Sequence, residues 1–403
     1  MKKKKIAIIG TVGLPANYGG FETLTESLVT NLGDTFDMTV YCSGKTYKKE
    51  ERKTFYKKAR LKYLPFNANG IQSIVYDSIS ILHALYYADV LLILGVAGAW
   101  ILPFVKLLTN KKIIISIDGI EWKRDKWNLF AKLYLFWAEK IAVKYSNIDI
   151  SDNESIQNYT AMRYGSLSRI IEYGADHTMV VKPSKQDKIE YPFLKLPYAF
   201  KVCRIEPENN VHHVLESFSQ LPKYPIVMIG NWKNSDYGIT LKKKYESYSN
   251  IILLDPIYEQ RTLDLIRGNA TLYIHGHSAG GTNPSLVEAM YLGLPIISFD
   301  VSYNRTTTEN KALYFKNKDE LKTLIKNTSI VKLKELGQTM KSIAIRRYTW
   351  SFIAEKYQEL INEAITIKTK IAAKPKSAQL LNSKLIELEL AHLKHQQLFF
   401  ENR

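Results

Sequence analysis

The chain has 403 residues, 46% of them hydrophobic and 24% charged, with a formal net charge of +17. Such a length predicts two domains rather than one core, and the apolar fraction excludes a disordered chain. The two cysteines, Cys42 and Cys203, exclude a disulfide framework and predict a reducing, cytosolic compartment. Met1 leads through a lysine run straight into a short strand, with no apolar signal segment behind it, so no secretion signal is expected. The longest apolar run, 90–105, is broken by Gly95, Gly98 and Pro103 and falls short of the ~20 residues a membrane-spanning helix needs.

Strands are predicted at 5–10, 38–42, 60–65, 90–94, 112–117, 147–150 and 169–172, and helices at 20–32, 71–87, 100–109, 127–145 and 152–163. This alternation implies an α/β fold, a doubly wound parallel sheet covered on both faces. The first strand runs into Gly10-Thr-Val-Gly-Leu-Pro-Ala-Asn-Tyr18-Gly19-Gly20-Phe21-Glu22. Its glycines do not form the G-x-G-x-x-G dinucleotide pattern, which argues against an oxidoreductase. Gly19 and Gly20 ahead of a helix let backbone approach a phosphate or a sugar; a plain strand-to-helix turn is the alternative. The segment 45–62 is strongly basic, and Trp122-Lys-Arg-Asp-Lys-Trp127 leads on to Trp137, Lys140 and Lys144. No nucleic-acid-binding motif accompanies this charge. An anionic membrane surface suits lysines beside tryptophans and tyrosines, and a merely soluble basic surface is the competing explanation. The strand at 112–117 is followed by Asp118, Glu121 and Trp122, at the end of a strand where such sheets bind ligands; a turn in which Asp118 caps Gly119 is the alternative.

Tyr173-Gly-Ala-Asp176 precedes a Lys/Pro-rich connection at 182–197, after which the pattern restarts with strands at 198–203, 225–229, 251–254, 271–274 and 295–298. The expected domains are 1–182, 195–349 and a helical end, 350–403. Arg204 and Asn210 follow the first of these strands, Gly230 the second, and Tyr258 the third. The fourth runs into Gly276-His-Ser-Ala-Gly-Gly281-Thr282-Asn283-Pro284-Ser285-Leu286-Val-Glu288. Asn283 is a good N-cap and Pro284 suits the first helical position, so backbone N–H groups at 281–286 should be open to a phosphate. One turn further in, the Glu288 carboxylate can accept both hydroxyls of a ribose. A helix start with a packing glycine pair is the bland reading of the same residues. His275 and His277 can assist, though a lone histidine is more often structural. No Asp-x-Asp pair and no Cys/His ligand spacing supports a metal, and no cofactor is implied. A helix is predicted at 350–367, then a polar break at 368–377. Leucines at 380, 381, 385, 388, 390, 393 and 398 predict a further amphipathic helix at 378–399, packed on the N-terminal domain or, failing that, on a second copy or a membrane surface.

Taken in order over residues 1–365, these loops resemble those of family 4 retaining glycosyltransferases, which have the GT-B fold: two doubly wound domains facing a cleft, followed by C-terminal helices. Tyr-Gly-Gly-Phe-Glu at 18–22 and Gly-Gly-Thr-Asn-Pro-Ser-Leu-Val-Glu at 280–288 are similar to a subgroup containing bacterial rhamnosyltransferases. The resemblance implies transfer from a nucleotide-diphosphate sugar, dTDP-L-rhamnose, to a lipid-diphosphate-linked saccharide at the inner face of the cell membrane, without a metal. It implies that Gly19, Gly20, Arg204, Asn210, Gly230, Tyr258, Gly281, Thr282, Asn283, Pro284, Ser285, Leu286 and Glu288 bind the donor. Asp118, Glu121 and Arg204 would serve catalysis, and Tyr18, Phe21, Glu22 and Trp122 the acceptor. The chain departs from the family at three places: Gly280 stands for the first of two glutamates, Asn210 for a lysine, and Asp118 for a histidine. A sugar-nucleotide 2-epimerase of the same architecture and a non-catalytic sugar-nucleotide-binding protein are the rival readings.

Overall fold

A computed structural model describes residues 3–16, 19–117, 119–123, 127–367 and 370. Tyr18, Asp118 and the helix predicted at 378–399 therefore lie outside the described residues. The chain forms two compact units, one comprising the described residues up to Glu172 and from Ala354 onward, the other spanning Tyr173–Ile353.

The first unit runs β1 (Lys5–Ile9), α1 (Gly20–Leu32), β2 (Asp37–Ser43), β3 (Phe55–Tyr56), β4 (Ala59–Leu64), α2 (Gln72–Ala84), β5 (Val90–Leu94), α3 (Leu102–Leu108), β6 (Lys112–Ile117), α4 (Leu129–Tyr145), β7 (Ile148–Ser151), α5 (Glu154–Tyr164) and β8 (Arg169–Ile170). Its sheet has the order β3-β4-β2-β1-β5-β6-β7-β8. The central strands are apolar throughout because helices cover both faces: all five residues of β5 are buried. The apolar run at 90–105 thus divides into β5, a glycine loop and α3. Within the basic segment 45–62 there is a short edge strand that was not expected. β3 pairs antiparallel with β4, Tyr56 facing Ala59, across a turn in which Lys57 adopts φ 49. The aromatic pair Phe55-Tyr56 favours extended backbone, and the turn lysines remain at the edge, where charge discourages further pairing.

The second unit runs α6 (Lys185–Glu190), β9 (Ala199–Val202), α7 (Val211–Ser219), β10 (Ile226–Ile229), α8 (Asp236–Tyr245), β11 (Ile251–Leu254), α9 (Gln260–Gly268), β12 (Leu272–His275), α10 (Pro284–Tyr291), β13 (Ile296–Phe299), α11 (Ser302–Thr307), β14 (Leu313–Phe315), α12 (Lys318–Asn327) and α13 (Ile330–Arg347). The parallel sheet has the order β11-β10-β9-β12-β13-β14. The connection expected to be a plain linker contains α6, which Ser184 and Asp187 start with a reciprocal capping box. The last helix, α14 (Trp350–Thr366), carries the chain from the second unit back into the first. There, Lys356 pairs with Glu172 at 2.8 Å and Glu363 with Arg169 at 2.7 Å.

Both sheets reverse their winding once, between β1 and β5 in the first unit and between β9 and β12 in the second. Doubly wound sheets bind ligands at the carboxyl ends of the strands flanking such a reversal. The glycine loops of the sequence follow β1 and β12, and Arg204 follows β9.

Candidate active site

In the second unit, the loops after β9 and β12 are stitched together. Asn210, at φ 49, donates from Nδ2 to the Gly276 carbonyl at 2.9 Å, and Asn209 Nδ2 donates to the Arg204 carbonyl at 2.7 Å. His277 Nδ1 pairs with Asn209 Oδ1, and the Ser278 hydroxyl and N–H both donate to the Glu208 carbonyl, each at 2.8 Å. Asn210 therefore holds the two loops in register, a role that its place in the sequence does not announce. Arg204 is partly exposed on the same loop, 3.8 Å from Glu206.

Asn283 caps α10 and Pro284 opens it. Asn283 Oδ1 accepts from the Ser285 N–H at 3.0 Å and from the Ser285 hydroxyl at 2.7 Å, while Tyr273 Oη donates to Ser285 Oγ at 2.9 Å. The Leu286 N–H bonds the Asn283 carbonyl at 3.0 Å. Two of the N–H groups expected to be open at 281–286 are thus consumed by the cap itself, because an asparagine cap satisfies the first-turn donors locally. Gly281, Thr282 and Leu286 are buried. Gly230 follows β10, and its N–H bonds the Leu254 carbonyl at 3.2 Å. Tyr258 is exposed in the loop after β11.

Glu288 projects from the first turns of α10 into a chain of buried polar groups. Its Oε2 accepts from Arg267 Nη1, and Arg267 Nη2 pairs with Asp264 at 2.8 Å. Its Oε1 lies 3.2 Å from His177 Nε2. The indole of Trp350 donates to His177 Nδ1 at 3.0 Å, and an indole N–H can only donate, so the ring proton of a neutral His177 sits on Nε2 and points at Glu288. Burial by itself would raise the Glu288 carboxyl; Arg267 and His177 outweigh it and hold it down to about 2. Each carboxylate oxygen has a second lone-pair position beyond its protein donor, leaving Glu288 able to accept two hydroxyls. Arg267 and His177 escaped the sequence reading. His177 directly follows the 173–176 turn, whose Asp176 accepts the Trp350 N–H at 2.7 Å.

In the first unit the loop after β1 is organised by Glu22. It accepts from the Val12 N–H at 2.7 Å and the Thr11 hydroxyl at 2.9 Å, and burial raises its carboxyl. Gly19 precedes α1 at φ 119, a conformation that favours glycine, and a Cβ there would push on a Glu22 oxygen 2.0 Å away. Gly20 and Phe21 open α1 beside it. Glu121 and Trp122 lie in a short turn after β6. Trp127 Nε1 donates to Glu121 at 3.0 Å, and Trp122 Nε1 donates to Tyr159 at 2.9 Å while its ring meets Phe136 edge-on at 5.2 Å. Trp122 thus anchors its turn on α4 and α5. Among the described residues, no group of three or more His, Cys, Asp and Glu side chains is placed to hold a metal ion.

α4 is turned inside out for a helix of a water-exposed domain. It buries Ala138, Glu139, Ala142 and Val143 and presents Leu129, Phe130, Leu133, Phe136 and Trp137 to solvent. On α3, which packs beside it, Phe104, Leu107 and Leu108 are also exposed. No helix among the described residues is long and apolar enough to cross a membrane.

Two doubly wound Rossmann-like units followed by C-terminal helices place the chain in the GT-B fold class. Within that class, residues 184–346 match the family Glycosyl transferases group 1, and residues 3–176 match Domain of unknown function (DUF1972). The match over residues 184–346 supports glycosyltransferase function. No curated protein matches it. Among solved structures it is similar to sucrose-phosphate synthase from Thermosynechococcus elongatus, with TM-score 0.74 and 13% identity over 90% of this chain and 99% of that one. It is also similar to a glycosyltransferase from Rickettsia africae, with TM-score 0.68 and 14% identity over 91% of this chain and 100% of that one. A third is Anabaena Alr3699/HepE in complex with UDP-glucose, with TM-score 0.65 and 13% identity over 89% of this chain and 99% of that one. At such identities the likeness shows the fold.

Proposed function

We propose that the protein is a retaining, metal-independent glycosyltransferase that moves L-rhamnose from dTDP-L-rhamnose onto a lipid-diphosphate-linked saccharide, for cell-surface polysaccharide synthesis at the inner face of the membrane. The observation that carries this reading is Glu288, held ionised at the start of α10 by Arg267 and His177 with acceptor capacity left on each oxygen. A carboxylate so placed, beside a capped helix start and a glycine loop, suits a ribose and the diphosphate attached to it. The binding of UDP-glucose by a protein of the same fold supports a sugar nucleotide as donor. The motifs at 18–22 and 280–288 support rhamnose, and the apolar face of α3 and α4 supports an acceptor carried in a membrane.

Arg204 and the start of α10, Gly281 to Leu286, take the departing diphosphate; Glu288 takes the ribose; Gly230 and Tyr258 lie against the base. Asn210 acts by holding the loop. Asp118 and Glu121 serve the sugar or the acceptor, with Tyr18, Phe21, Glu22 and Trp122 shaping the acceptor side. The leaving phosphate deprotonates the acceptor hydroxyl on the same face of the sugar, and stabilisation of its charge supplies the catalysis.

A panel of sugar nucleotides, tested for binding and for transfer to a membrane lipid extract, is expected to single out dTDP-L-rhamnose, with turnover unchanged by a chelator. Glu288→Ala should weaken nucleoside diphosphate binding by ~1.5–3 kcal/mol, roughly tenfold or more, in calorimetry. Glu288→Gln keeps an acceptor for Arg267 and so separates lost recognition from lost packing. Unchanged affinity in both folded variants would remove Glu288 from the donor site.

A further inference from the structure

Near the carboxyl end of β9, three residues before Arg204, a lysine occupies a position where a parallel strand ordinarily carries an apolar side chain. Lys201 is 2% exposed. Its ammonium lies under the loop that follows β12: a Cβ built on Gly276 would meet Lys201 Nζ at 2.9 Å and the Asn209 carbonyl at 2.3 Å. Gly276 is thus required by the close approach of the Asn209 carbonyl, and the Lys201 ammonium lies beside the same spot.

That charge has no carboxylate within ion-pair reach among the described residues. The groups that face it are the Cys203 thiol, just past the end of β9, and His275 of β12, whose Nε2 is buried without a hydrogen-bond partner. Arg204 and Glu206 lie beyond Cys203 on the following loop. Burial lowers the pKa of Lys201, since the charged form has lost its water. A buried ammonium without a counter-ion is costly, so it either gives up its proton or is met by an anion.

We infer that Lys201 is the buried counter-charge of the nucleotide site, holding the donor diphosphate through the loop at Gly276 in concert with Arg204. This rests on the donor-site reading above and deepens it: it assigns to the strand end, beneath the loop, a positive charge that Asn210, spent on the Gly276 carbonyl, does not supply. Lys201 acts as a positioning and specificity residue, favouring a diphosphate over an uncharged nucleoside. Because the contact is electrostatic, its effect grows with the charge of the ligand's phosphates and vanishes for the nucleoside.

The test is calorimetry on the full chain with dTDP, UDP, the corresponding monophosphates and the nucleosides, for wild type, Lys201→Met and Lys201→Gln. Both variants are expected to lose roughly ten- to a hundredfold in diphosphate affinity, less for the monophosphate and nothing for the nucleoside. Equal losses for all three ligands would make Lys201 a packing residue and overturn the inference, as would unchanged diphosphate affinity. Wild type gives an independent reading should the variants fail to fold. Diphosphate binding should weaken as pH rises through the depressed lysine titration, with proton uptake visible as a buffer-dependent heat, and this should persist in Cys203→Ser. A pH-independent diphosphate affinity would overturn it. Wild type that binds none of the diphosphates sinks the donor-site reading itself; wild type that binds them while the lysine variants behave like it sinks only this inference.

Discussion

The two units share one winding pattern and treat buried charge in opposite ways. Around the reversal in the first unit the buried ionisable groups are acids that burial pushes up. Glu22 clamps the loop after β1. Asp77 of α2 abuts Gly98 in the loop after β5, with one oxygen unpartnered, and is raised to about 8. Glu139 of α4, although it meets Arg163 at 3.0 Å and two tyrosine hydroxyls, is also raised by burial. Around the reversal in the second unit the acid is held ionised by an arginine, and a lysine is buried beneath the glycine loop. Buried carboxyls can exchange hydrogen bonds with hydroxyls, while buried positive charge suits phosphates. The same winding pattern thus carries different buried charges through a handful of side chains.

The comparison breaks most visibly at Arg267. Arg267→Ala would leave Asp264 and Glu288 buried without their cation, a change that typically costs ~3–5 kcal/mol. Chemical denaturation should show that loss in the transition of the second unit. The pH dependence of the two units should also be opposite. The folded Glu288 carboxyl, at about 2, lies below its ordinary 4.5, so its stabilisation is present above that value and disappears as the pH falls toward 2. The folded Asp77 carboxyl, at about 8, lies above its ordinary 3.8, so its contribution is complete below 3.8 and is lost as the pH rises through 8. Calorimetric scans at pH 3, 6 and 9 (roughly spaced across both windows) should show the second unit weakening at the acid end. The first unit should weaken at the alkaline end, and Asp77→Asn should remove that loss. Parallel behaviour of the two units would undo the contrast.

Arg204 tests the phosphate side directly. It is a partly exposed cation on the loop after β9, its nearest acid 3.8 Å away. Arg204→Ala should lower turnover by about two orders of magnitude or more, as loss of a transition-state electrostatic group does, while leaving thermal stability nearly unchanged. Asn210→Lys adds a cation to the same loop but forfeits the bond to the Gly276 carbonyl, so nucleotide binding should survive and can tighten only if the loops keep their register. Near-full turnover in Arg204→Ala would move the diphosphate away from this loop.

Much of this arrangement was legible in the sequence, for a physical reason. Parallel strands covered on both faces are continuous apolar runs, and the loops that follow them carry the glycines and caps. β1, β5, β6, β9 and β12 could therefore be located, and with them the loops at 10–22 and 276–288. Asn283-Pro284 is a local signal and starts α10 as expected. What could not be read depends on contacts between residues distant in sequence. Nothing in the spacing of His177, Arg267 and Glu288 says that they meet. Lys201 is a lone lysine in a strand until Gly276 is seen above it. The β3 hairpin hid inside a run of lysines. α4 is the most instructive case: leucines and aromatics at 129, 130, 133, 136 and 137 mark one apolar face, but periodicity does not tell which way that face turns. The opposite face is fixed inward because Glu139 is tied to Arg163, Tyr159 and Tyr164.

That outward face makes the last and smallest prediction, about where the first unit works. Leu129, Phe130, Leu133, Phe136 and Trp137 recur on one side of α4, and Lys140 and Lys144 continue the same stripe; Phe104, Lys106, Leu107 and Leu108 are exposed on α3. Aromatic and aliphatic side chains flanked by lysines suit the boundary of an anionic bilayer. The basic segment at 45–62, expected from sequence to make this contact, would then add long-range attraction, while Trp122 is occupied in anchoring its turn. Each lysine near the lipid surface is worth ~1 kcal/mol, so Lys140→Glu or Lys144→Glu should each reduce binding to anionic vesicles severalfold, and raised salt should mimic both. Phe130→Ser with Leu133→Ser should weaken the remaining, salt-resistant part. Vesicle sedimentation of the full chain, with and without anionic lipid at low and high salt, reads all of these at once. Equal binding to neutral vesicles would assign the lysines to solubility alone. No binding to either kind would leave the face to another occupant and favour a soluble acceptor over a lipid-linked one.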